Sequence, residues 1–290
     1  MRGRAQVWAV VWCPFLIMSE LDAIRAGGDE PVTFERLVSD LRALGLPTGA
    51  VAIVHSSLSS MGWVCGGAQT AVEALLAVLG PDGTLVTPAF TGGNSEPAYW
   101  CNPPVPESWW DSIRASAPAY QPGRTPTRCM GALVECLRGW PGVQRSDHPQ
   151  HSFCALGPEA GRITSGHGLE FGLGESSPLA RLYDFDAQVL LLGVGHENNS
   201  SLHLAEYRAR WAGRREIEQG AAMLRDGLRT WVVYRELDLD AGDFARIGAD
   251  YAGPQVRGTV ARAPAVLTPQ RTLVDFAVGW IERNRAAPVR

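Results

Sequence analysis

The sequence predicts a layered α/β domain, and three observations predict it. Short apolar runs bounded by turn residues alternate with segments of helical periodicity along the 290 residues. Two of the runs, 51–54 (VAIV) and 189–192 (VLLL), are continuously apolar, the pattern of strands buried on both faces. Each then enters a glycine- or hydroxyl-rich loop leading to a helix, which is where an open α/β sheet places its ligands.

Thr33 caps a first helix in which Phe34, Leu37, Val38, Leu41 and Leu44 recur at helical spacing, ended by Gly45 with Pro47 just beyond. The strand 51–54 runs into His55-Ser56-Ser57-Leu58-Ser59-Ser60-Met61-Gly62, and Gly66-Gly67 precede a helix over about 68–79. Backbone N–H groups and a helix N-terminus aimed in this way suit a phosphate or pyrophosphate, although the spacing is neither a P-loop nor GxGxxG. After the turn Gly80-Pro81-Asp82-Gly83, the run 84–87 reads as the second strand of a right-handed β-α-β unit.

From 88 to 128 the composition changes to a proline-rich insertion carrying Tyr99, Trp100, Trp109, Trp110 and Tyr120. Loops of that length are functional or disordered, and the aromatics favour order. Glu96, Glu107 and Asp111 among those rings suit a cationic, ring-shaped ligand held by stacking and ion pairing; packing of the loop by its own aromatics is the alternative.

A helix over 130–138 stops at Gly139 and Pro141, a strand ends near 154–157, and Ser177-Pro178 caps a short helix over 179–183. The stretch 188–204 organises the chain. Its strand gives way to Gly193-Val194-Gly195, where backbone comes close to a ligand, and Asn198-Asn199-Ser200-Ser201 supply helix caps. In the helix that follows, Leu202, Ala205 and Ala209 face the core while His203 and Glu206, three apart, share a neighbouring face. A strand over 230–237 leads into Glu236-Leu237-Asp238-Leu239-Asp240, and helices near 243–249 and 270–283 close the chain.

A net charge of −4 argues against nucleic acid, whose phosphates need a basic face, and suits a cationic small molecule. The six cysteines show no CxxC pair and read as reduced, mostly buried thiols of a cytoplasmic protein. Residues 1–18 place Arg2 and Arg4 before an apolar run too short to span a membrane, without a clean cleavage site. They read as an extension ahead of a conventional start at Met18, with secretion as the second reading.

The six histidines include His148-x2-His151 and His196-x6-His203, but neither HExxH nor a Cys/His module accompanies them, so no metal is assigned. A serine nucleophile would show G-x-S-x-G, which is absent; Ser56 or Ser57 are the serines left for such a route. What remains is a histidine general base oriented by carboxylates. His203 near a helix N-terminus loses basicity to the dipole, and Glu236 or Asp238, on one face of the following strand, restores it. The alternative is a capped helix histidine and solvated acids.

The segments HSSLSSMGWVCGG, GPDGTLVTPAF, RSDHPQHSF, SPLARLY, VLLLGVGHENNSSLHLAE and YRELDLDAGDF, in that order, resemble the aminoglycoside 3-N-acetyltransferases over roughly 34–281. The resemblance implies a three-layer α/β/α fold with a central mixed, largely parallel sheet, unrelated to the GNAT acetyltransferases. It implies one acetyltransferase domain over 19–290 with the insertion at 88–128 as its substrate loop. The implied activity is acetyl-CoA-dependent acetylation of the 3-amino group of the 2-deoxystreptamine ring of aminoglycoside antibiotics, conferring resistance, without a metal.

On this resemblance His203 is the catalytic base, with Glu236 and Asp238. Ser56, Ser57, Leu58, Gly193, Val194, Gly195 and Ser200 fall on the coenzyme A side; the expected mechanism adds Ser177, with loop N–H groups or hydroxyls near Ser57 or Ser177 stabilising the oxyanion. The insertion with Glu96 matches the aminoglycoside side, and Glu96, Asp111, Asp147 and Glu206 are the candidates for holding acceptor ammonium groups. A monomer or homodimer with no nucleic-acid or membrane partner is expected. The rivals are a zinc-dependent amide hydrolase and a non-catalytic aminoglycoside-binding protein.

Overall fold

The computed structural model describes residues 23–25 and 30–285. The expected extension over 1–18 lies outside the described residues. The main sheet contains β1 (Val51–Ser56), β2 (Thr84–Pro88), β3 (Gln144–Arg145), β4 (Phe153–Leu156) and β5 (Gln188–Leu192). Strands β6 (Glu216–Arg225) and β7 (Leu228–Leu237) form a separate two-stranded ribbon, and β8 (Val256–Val260) and β9 (Ala263–Pro269) return to the main sheet.

The strand order is β3-β4-β2-β1-β5-β9-β8. β1 pairs in parallel with β2 and with β5, which sets Ile53 opposite both Val86 and Val189. Successive residues of β1 point to opposite faces, so Ala52 and Val54 join one apolar cluster and Ile53 the other. Both faces are covered, and this is why β1 and β5 read as continuous apolar runs.

Helices α1 (Phe34–Leu44), α2 (Gly67–Leu79) and α4 (Ala132–Arg138) cover the first face. Helices α5 (Ala160–Thr164), α6 (Pro178–Asp184), α7 (Ser201–Arg208), α8 (Phe244–Asp250) and α9 (Gln270–Asn284) cover the second. The result is the three-layer α/β/α architecture around a mixed sheet. Thr33 caps α1 as expected, its oxygen accepting the Arg36 N–H.

The antiparallel flanks are what the local pattern did not disclose: β4 runs against β2, and β9 against β5. The expected strand over 230–237 is β7, but its partner β6 has no counterpart in the sequence reading, although Asp226 and Gly227, at φ 50° and 76°, make the two-residue turn that matches strand twist. The insertion docks on this ribbon. The Asn94 amide donates to the Ala222 carbonyl at 3.0 Å and accepts the Ala222 N–H at 2.9 Å, satisfying a strand edge as another strand would. Within the insertion α3 (Trp110–Ser116) is short, and Tyr120 is buried.

The cysteines differ from the expectation of mostly buried thiols. Among the described residues Cys154 is buried, Cys65, Cys101 and Cys136 are partly exposed, and Cys129 is exposed; all five are free. Cys154 of β4 belongs to the core and Cys136 of α4 packs against it, whereas Cys65, Cys101 and Cys129 lie in loops, where side chains reach solvent. No helix among the described residues is long and apolar enough to cross a membrane.

Candidate active site

The carboxyl ends of β1 and β5 lead towards α7, whose two turns carry the candidate residues His203 and Glu206. Asn199 caps this helix, its side-chain oxygen accepting the Ser201 N–H at 3.1 Å; Ser200 makes no such bond. Leu202 and Ala205 enter the core. His203 and Glu206, three residues apart, then fall side by side. His203 Nδ1 lies 2.6 Å from Glu206 Oε2, and because a carboxylate only accepts, Nδ1 carries the proton and Nε2 keeps its lone pair.

Phe244 meets the imidazole edge-on at 4.8 Å between ring centres. Glu206 is fully buried, and its second oxygen accepts from Arg285 at 2.6 Å and from the Asp240 N–H at 2.9 Å. Nε2 makes no hydrogen bond with any described residue, and the side chain retains 10% exposure. A buried acid thus fixes the tautomer of a histidine whose other nitrogen is free to take a proton.

This corrects the expectation that Glu236 or Asp238 would orient His203, and that Glu206 would hold substrate. Glu236 is buried under a different set of donors: the Tyr207 hydroxyl, the Gly172 N–H at 3.0 Å and the Leu237 N–H at 2.8 Å, with His151 Nδ1 3.5 Å away. Burial pushes its carboxyl up, but these groups, His151 foremost, outweigh burial and hold it below the usual range. Asp238 lies past the end of β7, where strand alternation no longer applies, and pairs with Arg215. The signal that named Glu206 was its i,i+3 spacing from His203.

On the expected cofactor side, Ser57 N–H donates to the Leu192 carbonyl at 2.9 Å, so β1–β5 pairing continues into the loop. Ser60 Oγ reaches Ser57 Oγ at 3.0 Å and the Gly193 carbonyl at 3.3 Å. Ser56, Ser57 and Leu58 are half-buried, as are Gly193, Val194 and Gly195, and the two loops are tied together through Ser57, Ser60, Leu192 and Gly193. Gly193 has φ 67°, and a Cβ there would fall 2.4 Å from Ser60 Cβ, so only glycine fits. Ser177 departs from its expected role. It is fully buried, and its oxygen accepts the Leu179 N–H to cap α6, out of reach of a ligand. Ser200 is buried too.

The expected acceptor-side acids are mostly occupied. Glu96 takes the Arg114 guanidinium through both oxygens and also the Ala98 N–H. Asp111, almost fully exposed, pairs with the same Arg114. Asp147 alone of the four is exposed with no partner among the described residues.

The remaining histidines form a buried polar cluster. His148 Nδ1 accepts the N–H groups of His151 (2.8 Å) and Gln150 (3.2 Å), and its Nε2–H faces the Leu169 carbonyl at 3.1 Å. His167 Nε2 faces the Gly172 carbonyl at 2.6 Å and its Nδ1 takes the Ser146 hydroxyl. Burial holds both rings neutral, His167 down to about 3 and His148 well below the ordinary value. His55, at the end of β1, is lowered to about 3 by burial first and then by its closeness to His196 and His203, beside which a second imidazolium would be repelled.

His148, His151 and Glu236 lie close enough together to suggest a metal. The donor set does not fit one, since both nitrogens of His148 are spent on backbone groups, leaving two ligands where a zinc site needs three or four.

A family model described as aminoglycoside 3-N-acetyltransferase matches residues 53–282. The chain is 43% identical over 263 residues to the SPbeta prophage-derived aminoglycoside N(3')-acetyltransferase-like protein YokD of Bacillus subtilis (strain 168), covering 90% of this chain and 96% of that protein. It is 39% identical over 287 residues to aminoglycoside N(3)-acetyltransferase VII of Streptomyces paromomycinus, covering 92% and 97%. The crystal structure of YokD matches with a TM-score of 0.88 at 42% identity, over 91% of this chain and 98% of that one. AAC-IIIb in its binary complex with CoASH matches with a TM-score of 0.80 at 32% identity, over 90% and 100%.

Proposed function

This chain belongs to the aminoglycoside 3-N-acetyltransferase family, and on that premise we propose that it transfers the acetyl group of acetyl-coenzyme A to the 3-amino group of the 2-deoxystreptamine ring of aminoglycosides, conferring resistance. The coenzyme A held by AAC-IIIb supports the choice of donor, and the type VII relative's name supports the acceptor. The observation that carries the reading is the His203–Glu206 pair, with Nε2 left without a hydrogen-bond partner among the described residues, on the helix that follows the carboxyl end of β5.

Transfer is direct, within a ternary complex. His203 Nε2 takes a proton from the acceptor ammonium, and Glu206 stabilises the imidazolium that forms; such a base contributes about 10²–10⁴-fold. The freed nitrogen bonds to the thioester carbon. The C–S bond then breaks, and the thiolate takes the second proton from that nitrogen and leaves as coenzyme A, while His203 returns its proton to solvent. The Ser57 hydroxyl is the donor proposed for the oxyanion. Asp147 is the carboxylate free to meet another ammonium group, and the Glu96–Arg114 pair must exchange partners to do so.

The test is free-thiol release from acetyl-CoA with gentamicin, tobramycin or apramycin. Release by the wild-type chain and its loss in His203→Ala are expected. Binding of drug without thiol release would reduce the protein to a sequestering one.

A further inference from the structure

We propose that Arg285 is a positioning residue that sets the base strength of His203 through the carboxylate they share. The inference rests on His203 being the base. Arg285 closes the chain's last helix, its N–H still bonded to Ile281 as the backbone turns out of α9. From there its guanidinium enters the site. Nη1 donates to Glu206 Oε1 at 2.6 Å, Nε and Nη2 grip both oxygens of Asp243 at 2.7 and 2.6 Å, and Nη2 also reaches the Asp240 carbonyl at 2.6 Å. The Trp211 ring covers it at 5.2 Å.

The consequence follows from the division of one charge between two partners. Glu206 Oε2 takes the His203 Nδ1–H, and the negative charge left to stabilise an imidazolium is what Arg285 has not already neutralised. An unshared carboxylate would hold the proton on His203 and leave Nε2 occupied when the acceptor arrives. Arg285 keeps the ring available as a base.

The groups facing this pair are few. His55 of β1 lies within electrostatic reach of His196 and of His203, and burial holds it neutral; burial also lowers His196, whose charged neighbours Arg257 and Glu197 act in opposite senses. The Phe244 ring of α8 carries no charge, and Tyr207, beside Glu206, has its hydroxyl turned to Glu236 and held protonated by burial and that acid. The Asp240 N–H adds a fixed dipole to Glu206. Burial opposes the charge on Arg285, but Asp243 and Glu206 outweigh it, so the guanidinium stays ionised.

The experiment is the pH profile of kcat/KM for thiol release. Arg285→Gln returns the full carboxylate charge to His203, and the acid limb moves to higher pH by on the order of one unit. Arg285→Lys, which keeps the charge, holds the limb near wild type. Asp243→Asn removes the competing acid, places more of the guanidinium charge on Glu206, and moves the limb the other way. This partly exposed position decides the matter if Arg285→Gln does not fold. Activity lost equally at every pH, with the limb unmoved in Arg285→Gln and Asp243→Asn, makes Arg285 a structural brace and overturns the inference. Failure of the underlying reading looks different, because His203→Ala would then retain turnover.

Discussion

His203 Nδ1 and Glu206 Oε2 lie 2.6 Å apart on the same eight-residue helix, so the imidazole and the acid that orients it arrive together on one rigid element. Helical spacing sets their separation, and neither a strand end nor a loop has to be brought up to complete the pair. The second oxygen of Glu206 reaches Arg285, 79 residues further along the chain.

His203→Ala should lower kcat/KM by about 10²–10⁴-fold while leaving coenzyme A affinity unchanged, because the ring acts on the acceptor proton. Thiol release and calorimetric titration with coenzyme A check the two halves. Near-normal turnover would overturn the assignment.

Glu206 and Asp238 should differ sharply in stability. Glu206→Ala strands the buried Arg285 beside one remaining acid and should cost about 3–5 kcal/mol. Asp238→Ala breaks a pair with a largely exposed arginine and should cost no more than about 1 kcal/mol. Urea denaturation of the two variants measures the difference; equal losses would contradict the burial that separates these acids.

Stability should fall as the pH drops below about 6.5, the ordinary imidazole value. His55 and His167 titrate near 3 in the folded chain, and His148 is also lowered, so the unfolded chain binds more protons throughout that window and acid favours unfolding. Each such ring contributes a slope of about 1.4 kcal/mol per pH unit. Glu236 adds to this lower down, since its depressed folded value gives stability that is lost as the pH falls through it. Denaturation at successive pH values checks the trend, and His55→Gln should flatten it by one such increment.

Gly193→Ala places a methyl on Ser60 at a φ that alanine avoids. It should cost more than about 1 kcal/mol and raise the KM for acetyl-CoA well above any change in the acceptor KM. An unaltered acetyl-CoA KM in a folded variant would remove this loop from the cofactor site.

Asp147→Asn should raise the acceptor KM with little effect on kcat, whereas Asp111→Asn, whose carboxylate is exposed and already paired with Arg114, should leave both unchanged. Steady-state kinetics with an aminoglycoside panel distinguishes them. The reverse ranking would place the acceptor against the insertion's helix.

Much of the fold was legible because its signals are local. Val189–Leu192 announced a strand covered on both faces, Thr33 and Ser177 announced helix starts, and both caps form. Gly193-Val194-Gly195 marked the bend at the carboxyl end of β5. The ribbon was legible in principle through Asp226-Gly227, but β4 and β9 lacked a comparable cue, since an antiparallel flank looks locally like any other strand. Ser177 shows the limit of reading residue type: the hydroxyl that caps α6 is the same hydroxyl assigned to an oxyanion, and only burial tells the two uses apart.

By itself the sequence determined the layering and the family resemblance and singled out His203 as the candidate base, since apolar period, turn residues and ordered motifs are properties of short stretches. Only the tertiary structure decided which acid serves which histidine. Glu236 and Glu206 are chemically alike, and their partners depend on where distant segments land. Tyr207 and Gly172 close around Glu236, while the end of α9 brings Arg285 to Glu206 and leaves that carboxylate beside His203.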